Sequence, residues 1–197
     1  MCFIGKVRLP DFLQQQLAPK EGTVVEIPFE FPGYAASVDA SLGYKEQLLF
    51  HANKQTYTPT DGEVVGNHQG AHYFTKGQRK GLAVGGTAEP LFVIDTDVSE
   101  NIIYTGQGKS HPGLYRRGLL VKSSEVHWVR EDLRMSVGEQ KQVLARIRYR
   151  QPLEKAILYA EAEGIYVLFD QPQSAIAEGQ FVAWYTGDEL LGSGVIS

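Results

Sequence analysis

The stretch Gln142-Val-Leu-Ala-Arg-Ile-Arg-Tyr-Arg150 shows most plainly how this chain folds. Apolar and polar residues alternate along it, which is typical of a β-strand with one buried and one exposed face. The alternation divides the side chains between two faces: Val143, Ala145, Ile147 and Tyr149 on one, and Leu144, Arg146, Arg148 and Arg150 on the other. We therefore predict a strand over 142–150 whose exposed face carries a row of three arginines.

Short strands of the same kind recur on both sides of this stretch. They are predicted over 119–123, 125–129, 155–160, 164–169, 181–185 and 190–196. Turn-forming residues separate them and no helical pattern intervenes, which favours a small antiparallel β-barrel or sandwich.

The N-terminal part mixes strands with short helical segments. A strand end or turn is predicted over 1–5, a helix over 10–17, and strands over 23–27, 63–66, 91–95 and 102–105, the last two forming a hairpin. Residues 45–52 are predicted to form a helical turn or two with Leu48 and Leu49 inward. The turn-rich segment 106–113 marks a domain boundary. We predict a mainly β (α+β) fold, with a small mixed central domain over 1–113 and a C-terminal antiparallel β-barrel over 114–197.

Composition indicates an ordinary globular protein with unevenly distributed charge. The 197 residues are 43% hydrophobic and 21% charged. No apolar run approaches the roughly 18 residues of a membrane span, so no membrane partner is expected. The formal net charge of −4 argues against a generic nucleic-acid-binding protein. Basic residues nevertheless cluster in two windows without acids, 115–122 and 141–150, which permits a phosphate-facing side on an acidic protein.

The row of arginines needs a counter-charge. Carboxylates on neighbouring strands or phosphates of a bound nucleic acid would both relieve the mutual repulsion of Arg146, Arg148 and Arg150. Tyr149, near the strand end, is able to stack on a base or to form a hydrogen bond. Both interpretations stay open at this point.

The glycine-rich stretch from His68 to Gly86 is a second candidate binding element. It holds two aromatic residues and the basic trio Lys76, Arg79 and Lys80, and it contains no acidic residue. Its exposed backbone N–H groups, cations and flat rings suit an anionic partner that carries bases. The alternative is an ordinary surface loop whose glycines serve turn geometry.

Cys2 is the only cysteine, so an internal disulfide is excluded and a reducing cytoplasm is expected. A lone cysteine is either a small buried apolar residue or, near cations such as Lys6 and Arg8, a reactive thiol. The five histidines lack acid or cysteine partners at ligand spacing, so no metal site is predicted. No Walker motif or other recognisable ATP-binding device is present.

Several separated motifs together resemble one family. They are Cys2-Phe-Ile-Gly5, the run Gly66-x-His-x-Gly-x-His-Tyr-x-Thr-x-Gly-Gln-Arg-Lys-Gly-Leu82 with Gly85-Gly86 after it, Pro90-Leu-Phe-Val93, Arg148-Tyr-Arg-Gln151, and Pro172 through Gly179-Gln180. In this order they are similar to the central and C-terminal parts of the tRNA-specific 2-thiouridylases. The similarity covers nearly the whole chain apart from 28–61, which is longer than the linker expected there and is predicted to be an insertion.

The resemblance implies a sulfurtransferase that acts on tRNA. Such enzymes adenylate the C2 oxygen of the wobble uridine with ATP and deliver sulfur from a cysteine persulfide. Cys2 matches the second of two cooperating cysteines, which either carries the persulfide or completes sulfur release. Arg148, Tyr149 and Gln180 match tRNA-contacting residues, and the C-terminal barrel is expected to resemble domain two of elongation factors. tRNA and a sulfur-relay donor protein are the implied partners.

The sequence departs from the family pattern in its ATP chemistry. The phosphate-binding Ser-Gly-Gly-x-Asp-Ser loop and the first cysteine are absent from it. We therefore expect ATP with Mg²⁺ in an N-terminal domain upstream of Met1, no cofactor in this chain, and no turnover by this chain alone.

The predicted site combines the catalytic Cys2 with a tRNA-binding set. That set is Lys76, Gln78, Arg79, Lys80, Arg146, Arg148, Tyr149, Arg150 and Gln180. Two alternatives remain, a non-catalytic RNA-binding or protein-interaction β-barrel module and a structural barrel that binds acidic proteins.

Overall fold

Two sheets organise the part of the chain that the structure describes. This computed structural model describes residues 18–36 and 41–197. Residues 18–35 and 56–114 form one unit, called unit 1; residue 36 with 41–55 and 115–197 forms the other, called unit 2. The elements predicted over 1–5 and 10–17, and Cys2 with them, lie outside the described residues.

Unit 1 is built on a four-stranded mixed sheet in the order β2-β1-β4-β3. Its strands are β1 Gly22–Glu26, β2 Glu63–His68, β3 Leu91–Asp97 and β4 Ile102–Gln107. β1 runs parallel to β4 and antiparallel to β2, and β3 and β4 form the predicted antiparallel hairpin.

Side chains bury both faces of the unit 1 sheet, which explains the nearly continuous apolar runs of β3 and β4. Val24, Val93 and Ile103 pack in a cluster on one face. The other face holds a second cluster: Val25, Ile27, Tyr57, Ile94, Ile102, Tyr104 and Leu114.

Two buried histidines of unit 1 form the same pattern of hydrogen bonds, one to a glycine two residues further on and one to a distant backbone carbonyl. Nδ1 of His68 accepts the backbone N–H of Gly70 at 2.9 Å, so Nε2 carries the proton and donates to the carbonyl of Asn101 at 3.2 Å. Nδ1 of His111 accepts the N–H of Gly113 at 3.3 Å, and Nε2 lies 3.2 Å from the carbonyl oxygen of Ile27. Burial lowers the pKa of both rings. Both are therefore neutral structural residues, and their His-x-Gly spacing reflects the shared hydrogen bond.

Unit 2 is a seven-stranded antiparallel sheet in the order β5-β9-β8-β7-β10-β11-β6. Its strands are β5 Tyr115–Lys122, β6 Val126–Trp128, β7 Gln140–Arg146, β8 Glu154–Glu161, β9 Gly164–Ser174, β10 Phe181–Thr186 and β11 Glu189–Val195. The sheet curls into a half-barrel around a core that includes Trp184, Phe169 and Leu158. The predicted mainly β fold, a small mixed sheet with an antiparallel C-terminal barrel, is confirmed.

One helix covers part of the outer face of this half-barrel. Helix α1, Tyr44–Ala52, packs Leu48 and Ala52 against Tyr166, with Leu120 and Leu168 around them. The prediction that Leu49 also points inward is wrong, because Leu49 is 38% exposed. Leu48 and Ala52 are four residues apart and share a helical face, whereas Leu49 lies about 100° around the helix.

Polar contacts hold the first turn of α1 on the sheet. The Tyr44 hydroxyl donates to Glu161 at 2.5 Å, and Nζ of Lys45 lies 3.1 Å from Glu163. α1 therefore packs over β5 and β9. None of the described helices is both long and apolar enough to cross a membrane.

Candidate nucleic-acid interface

The predicted row of three arginines is replaced by a turn. β7 ends at Arg146, and residues 147–151 form bends and turns, so the strand predicted to Arg150 is too long. The backbone N–H of Ile147 bonds to Oε1 of Gln151 at 3.4 Å instead of continuing the ladder. The amide of Gln151 is in turn held by Gln173 at 2.5 Å. We call residues 146–151 the arginine turn.

Arg146 contacts two tyrosines at the start of the arginine turn. Nη2 donates to the hydroxyl of Tyr185 at 3.0 Å, and Nη1 donates to the carbonyl oxygen of Tyr149 at 3.2 Å. The guanidinium carbon lies 5.1 Å from the ring centroid of Tyr185 and 5.7 Å from that of Tyr149, within cation–π range. Arg146 is therefore held by two hydrogen bonds, and its charge lies within cation–π range of both rings.

Arg148 binds the connection that follows β9. Nη1 donates to the carbonyl of Ser174 at 3.2 Å and Nη2 to the carbonyl of Ala175 at 2.7 Å. Ala175 is buried and has a φ of 55°, a left-handed conformation that costs a non-glycine residue free energy. The two carbonyl oxygens engage two of the five N–H donors of Arg148 and do not neutralise its charge.

The remaining arginine-turn residues face solvent. Arg150 is exposed, and the Tyr149 side chain is 85% exposed. Within residues 18–36 and 41–197, ion pairs are formed by, among others, Lys45, Lys54, Arg130 and Arg134, and none is found for an arginine of this turn. Of the two interpretations of these arginines, neutralisation by neighbouring carboxylates therefore finds no support in the described residues.

Gln180 lies at the far end of the connection that Arg148 holds. Its backbone N–H bonds to the carbonyl of Ala177 at 3.4 Å, and its carbonyl accepts the N–H of Ile196 at 2.8 Å. Its side-chain Oε1 is buried and has no hydrogen-bond partner within the described residues. Arg148 and Gln180 thus mark the two ends of the loop between β9 and β10.

The glycine-rich loop of unit 1 is organised by Gln78. Its Oε1 accepts the N–H of Thr75 at 3.2 Å, and its Nε2 donates to the carbonyl of Lys80 at 2.8 Å. The backbone of Gly77 and Gln78 also bonds to Val93 of β3 in both directions, at 2.7 and 2.9 Å. This fixes the loop on the sheet edge, so the side chain of Gln78 is a scaffold of the loop.

The cations of this loop differ in exposure. Arg79 and Lys80 are exposed on the scaffold that Gln78 builds, and Lys76 is half-buried. Gly77 and Gly81 adopt φ values of 84° and 93°, which explains the glycines at these turn positions. Within the described residues, no three His, Cys, Asp or Glu side chains are grouped as metal ligands.

Sequence reasoning missed Tyr185. The strand around it was predicted, but the sequence does not show that this strand pairs with β7 and so places Tyr185 beside Arg146. Tyr185 pairs with Leu144 across β10 and β7 and lines an open groove of about 430 Å³ on the outer face of the half-barrel. The sequence did contain one signal. Trp184 and Tyr185 are adjacent aromatic residues on a strand, so one of them, Tyr185, must face outward when Trp184 faces the core.

Family models match both units. The model described as an aminomethyltransferase beta-barrel domain matches residues 116–196, which hold the half-barrel strands and the arginine turn. The model described as a tRNA methyl transferase PRC-barrel domain matches residues 46–107, which include the glycine-rich loop.

Curated relatives match along the whole chain. The tRNA-specific 2-thiouridylase of Christiangramia forsetii is 62% identical over 200 residues, and that of Flavobacterium johnsoniae is 62% identical over 197 residues. The chain belongs to the tRNA-specific 2-thiouridylase family. A more distant member, from Halalkalibacterium halodurans, is 47% identical over 197 residues.

The 2-thiouridylase relatives are longer than this chain. All of the chain is matched, but it spans about half the length of the relatives from C. forsetii and F. johnsoniae and 43% of the one from H. halodurans. The arginine turn and the glycine-rich loop lie within the residues that the two family models match.

Proposed function

We propose that this chain is the tRNA-holding part of a 2-thiouridylase that inserts sulfur at C2 of the wobble uridine. The observation that carries the proposal is the arginine turn. Arg146, Arg148 and Arg150 sit together in unit 2 without a carboxylate partner among the described residues, beside the exposed ring of Tyr149. Phosphates and an unstacked base are the groups that such a cluster of cations and rings binds best.

In this proposal Arg148 and Tyr149 contact tRNA directly, and Arg150 adds charge. Arg148 retains donor capacity, since a guanidinium offers five N–H groups and the backbone carbonyls use two of its nitrogens. Gln180, at the other end of the loop that Arg148 holds, contributes a further contact. The exposed Arg79 and Lys80 of the glycine-rich loop contribute phosphate contacts from unit 1, with Lys76 and the scaffold residue Gln78 behind them.

Cys2 is proposed as the second catalytic cysteine. In the chemistry that the family resemblance implies, persulfide sulfur attacks the adenylated C2 carbon, a carbon–sulfur bond forms, and the oxygen leaves with AMP. A second thiol then attacks the sulfur–sulfur bond, which leaves sulfur on the base and a disulfide between the two cysteines. Cys2 serves either as the persulfide carrier or as that second thiol.

ATP and its magnesium ion are not assigned to any residue of this chain. The family's Ser-Gly-Gly-x-Asp-Ser loop is not in the sequence, and the described residues offer no group of three metal ligands. A sulfur-relay protein as the donor remains part of the proposal.

A chimera tests this function. The half of the F. johnsoniae relative that aligns with this chain is replaced by the chain itself, which the 62% identity favours structurally. The chimera is incubated with tRNA, ATP, Mg²⁺ and a low-molecular-weight persulfide, and thiolated tRNA is measured on mercury-containing gels. We expect thiolation by the chimera and none by its Cys2→Ser variant.

Two results would argue against the proposal. Full thiolation by the Cys2→Ser chimera would assign Cys2 to packing. A folded chimera that binds no tRNA, beside a relative that does, would remove the tRNA role from this chain.

A further inference from the structure

We propose that the groove beside Tyr185 binds one unstacked nucleotide of the RNA, with its base lying on the Tyr185 ring. This inference rests on the proposed tRNA-binding function and assigns a base-binding site within it. The groove lies on the outer face of the half-barrel, where β7, β8 and β10 are neighbours. None of the residues predicted from the sequence to bind tRNA lines it.

The shape of the groove fits a flat, partly apolar ligand. Its volume is about 430 Å³, within the usual range for small-ligand sites of about 300–1,000 Å³. Leu144 and Ile157 are half-buried and form an apolar floor, and Tyr185 is the aromatic wall. A base that leaves its stack loses the contact with its neighbouring bases. Stacking on the aromatic wall and packing on the aliphatic floor of the groove replace that contact.

The rim of the groove supplies polar groups suited to base edges. Gln142 offers an amide with donors and an acceptor, Lys155 offers a cation, and Asp170 offers acceptors for N–H groups. Such mixed polarity around an apolar floor matches a nucleobase better than an aliphatic or uniformly charged ligand.

Arg146 makes the aromatic wall rigid and marks where a phosphate would lie. It holds the Tyr185 hydroxyl at 3.0 Å and leads into the arginine turn, so the groove is adjacent to the cluster of cations. In a nucleotide the base and the phosphate are likewise neighbours, so the base would occupy the groove while the phosphate lies near the cations. The larger groove of unit 1, about 640 Å³, instead includes Glu26, Asp61 and Glu63, whose charges repel phosphate.

Two RNA probes separate base stacking from charge. One is a short fluorescent oligouridine, and the other has the same sugar–phosphate backbone with abasic residues. Wild-type chain is expected to bind the base-bearing probe about five-fold or more tightly than the abasic probe, as measured by fluorescence polarisation. In Tyr185→Leu the ratio should fall to about two-fold or less, with abasic-probe affinity unchanged, because the phosphate contacts remain.

Two further variants make this test specific. Tyr185→Phe keeps the ring and should retain most of the ratio, which a role of the hydroxyl alone would not allow. His127→Leu removes another exposed flat ring, on β6, and should leave the ratio at its wild-type value. Thermal unfolding of each variant establishes that it is folded.

The outcomes distinguish this inference from the function on which it rests. Salt-sensitive tRNA binding with equal affinity for the two probes would overturn the groove proposal alone. Equal weakening of both probes by Tyr185→Leu would also overturn it, since Tyr185 would then act through the fold. No salt-sensitive tRNA binding by the wild-type chain would remove the proposed function itself.

Discussion

Nη2 of Arg146 donates a hydrogen bond to the hydroxyl of Tyr185, 3.0 Å away on the neighbouring strand β10. The same guanidinium donates to the carbonyl oxygen of Tyr149, so a single side chain joins the end of β7, the arginine turn and the groove wall. Arg146 therefore positions the Tyr185 ring and the backbone of the turn, in addition to carrying charge.

Arg146→Lys should separate these two roles. Lysine keeps the charge but has one nitrogen, so it cannot bind the Tyr185 hydroxyl and the Tyr149 carbonyl in the same planar arrangement. We expect weaker tRNA binding with an unchanged dependence on salt, measured by titration at several salt concentrations. A variant that binds tRNA as tightly as wild type would show that the positioning role is unimportant.

Arg148→Gln and Arg150→Gln should differ in stability. Arg148 holds the carbonyls of Ser174 and Ala175, so its loss should lower the free energy of unfolding by about 1–2 kcal/mol. Arg150 is exposed, and its loss should change stability by less than about 0.5 kcal/mol. Urea denaturation monitored by the fluorescence of buried Trp184 measures both. Equal stability of the two variants would contradict the structural role of Arg148.

The sequence predicted the strands more fully than it predicted the arginine turn. Alternation places Val143, Ala145 and Ile147 in the core, and all three are buried. The same alternation predicted a strand as far as Arg150. A local pattern contains no information on the Gln151–Gln173 contact, which lies in the turn that follows β7. That contact joins residues 22 positions apart in the sequence.

Candidate residues were easier to find than their roles. The Arg148 and Tyr149 motif was visible in the sequence, but the backbone carbonyls that hold Arg148 lie at the end of β9 and the start of the loop after it, 26 and 27 residues further along the chain. The sequence predicts Gln78 as a tRNA contact, and the structure adds that both ends of its side chain form hydrogen bonds within the loop. Tyr185 carried no motif, and only the pairing of β7 with β10 places it beside Arg146.

The buried histidines make unit 1 sensitive to acid. The pKa values of His68 and His111 are lowered by burial, so in the folded state both rings stay neutral where unfolded histidine, with a pKa of about 6.5, takes up protons. The contribution of the two neutral rings to the free energy of unfolding is fully present above about pH 6.5. It is lost as the pH falls toward the pKa values of the rings in the folded state. The loss should reach up to about 1.4 kcal/mol per pH unit for each histidine.

Urea denaturation from about pH 7.5 to about pH 5.5 measures this dependence, above the range in which most carboxylates titrate. His68→Gln is the matched variant, since its amide is able to accept from Gly70 and donate to Asn101 without titrating. In this variant the unfolding free energy should depend less on pH, by roughly the contribution of one of the two histidines. An unfolding free energy that stays constant over this range would contradict the neutral, buried assignment.

Gln78→Ala should disorder the glycine-rich loop without removing a charge. The variant loses both side-chain hydrogen bonds, to Thr75 and Lys80, while Arg79 and Lys80 remain. Hydrogen exchange of residues 75–81 should become faster, and tRNA affinity should fall about three- to ten-fold, since a disordered loop loses more entropy on binding. Unchanged exchange in this segment would show that the backbone contacts with Val93 suffice.

The most direct test of the proposed tRNA interface is the salt dependence of tRNA binding. A plot of the logarithm of the association constant against the logarithm of salt concentration should be linear and steep for the wild-type chain. In Arg148→Gln/Arg150→Gln the slope should be shallower by about 1–2, corresponding to the loss of about two phosphate contacts. A matched variant, Arg130→Gln/Arg134→Gln, removes two cations already paired with carboxylates and should keep the wild-type slope. Identical slopes for the wild-type chain and the arginine-turn variant would contradict the account.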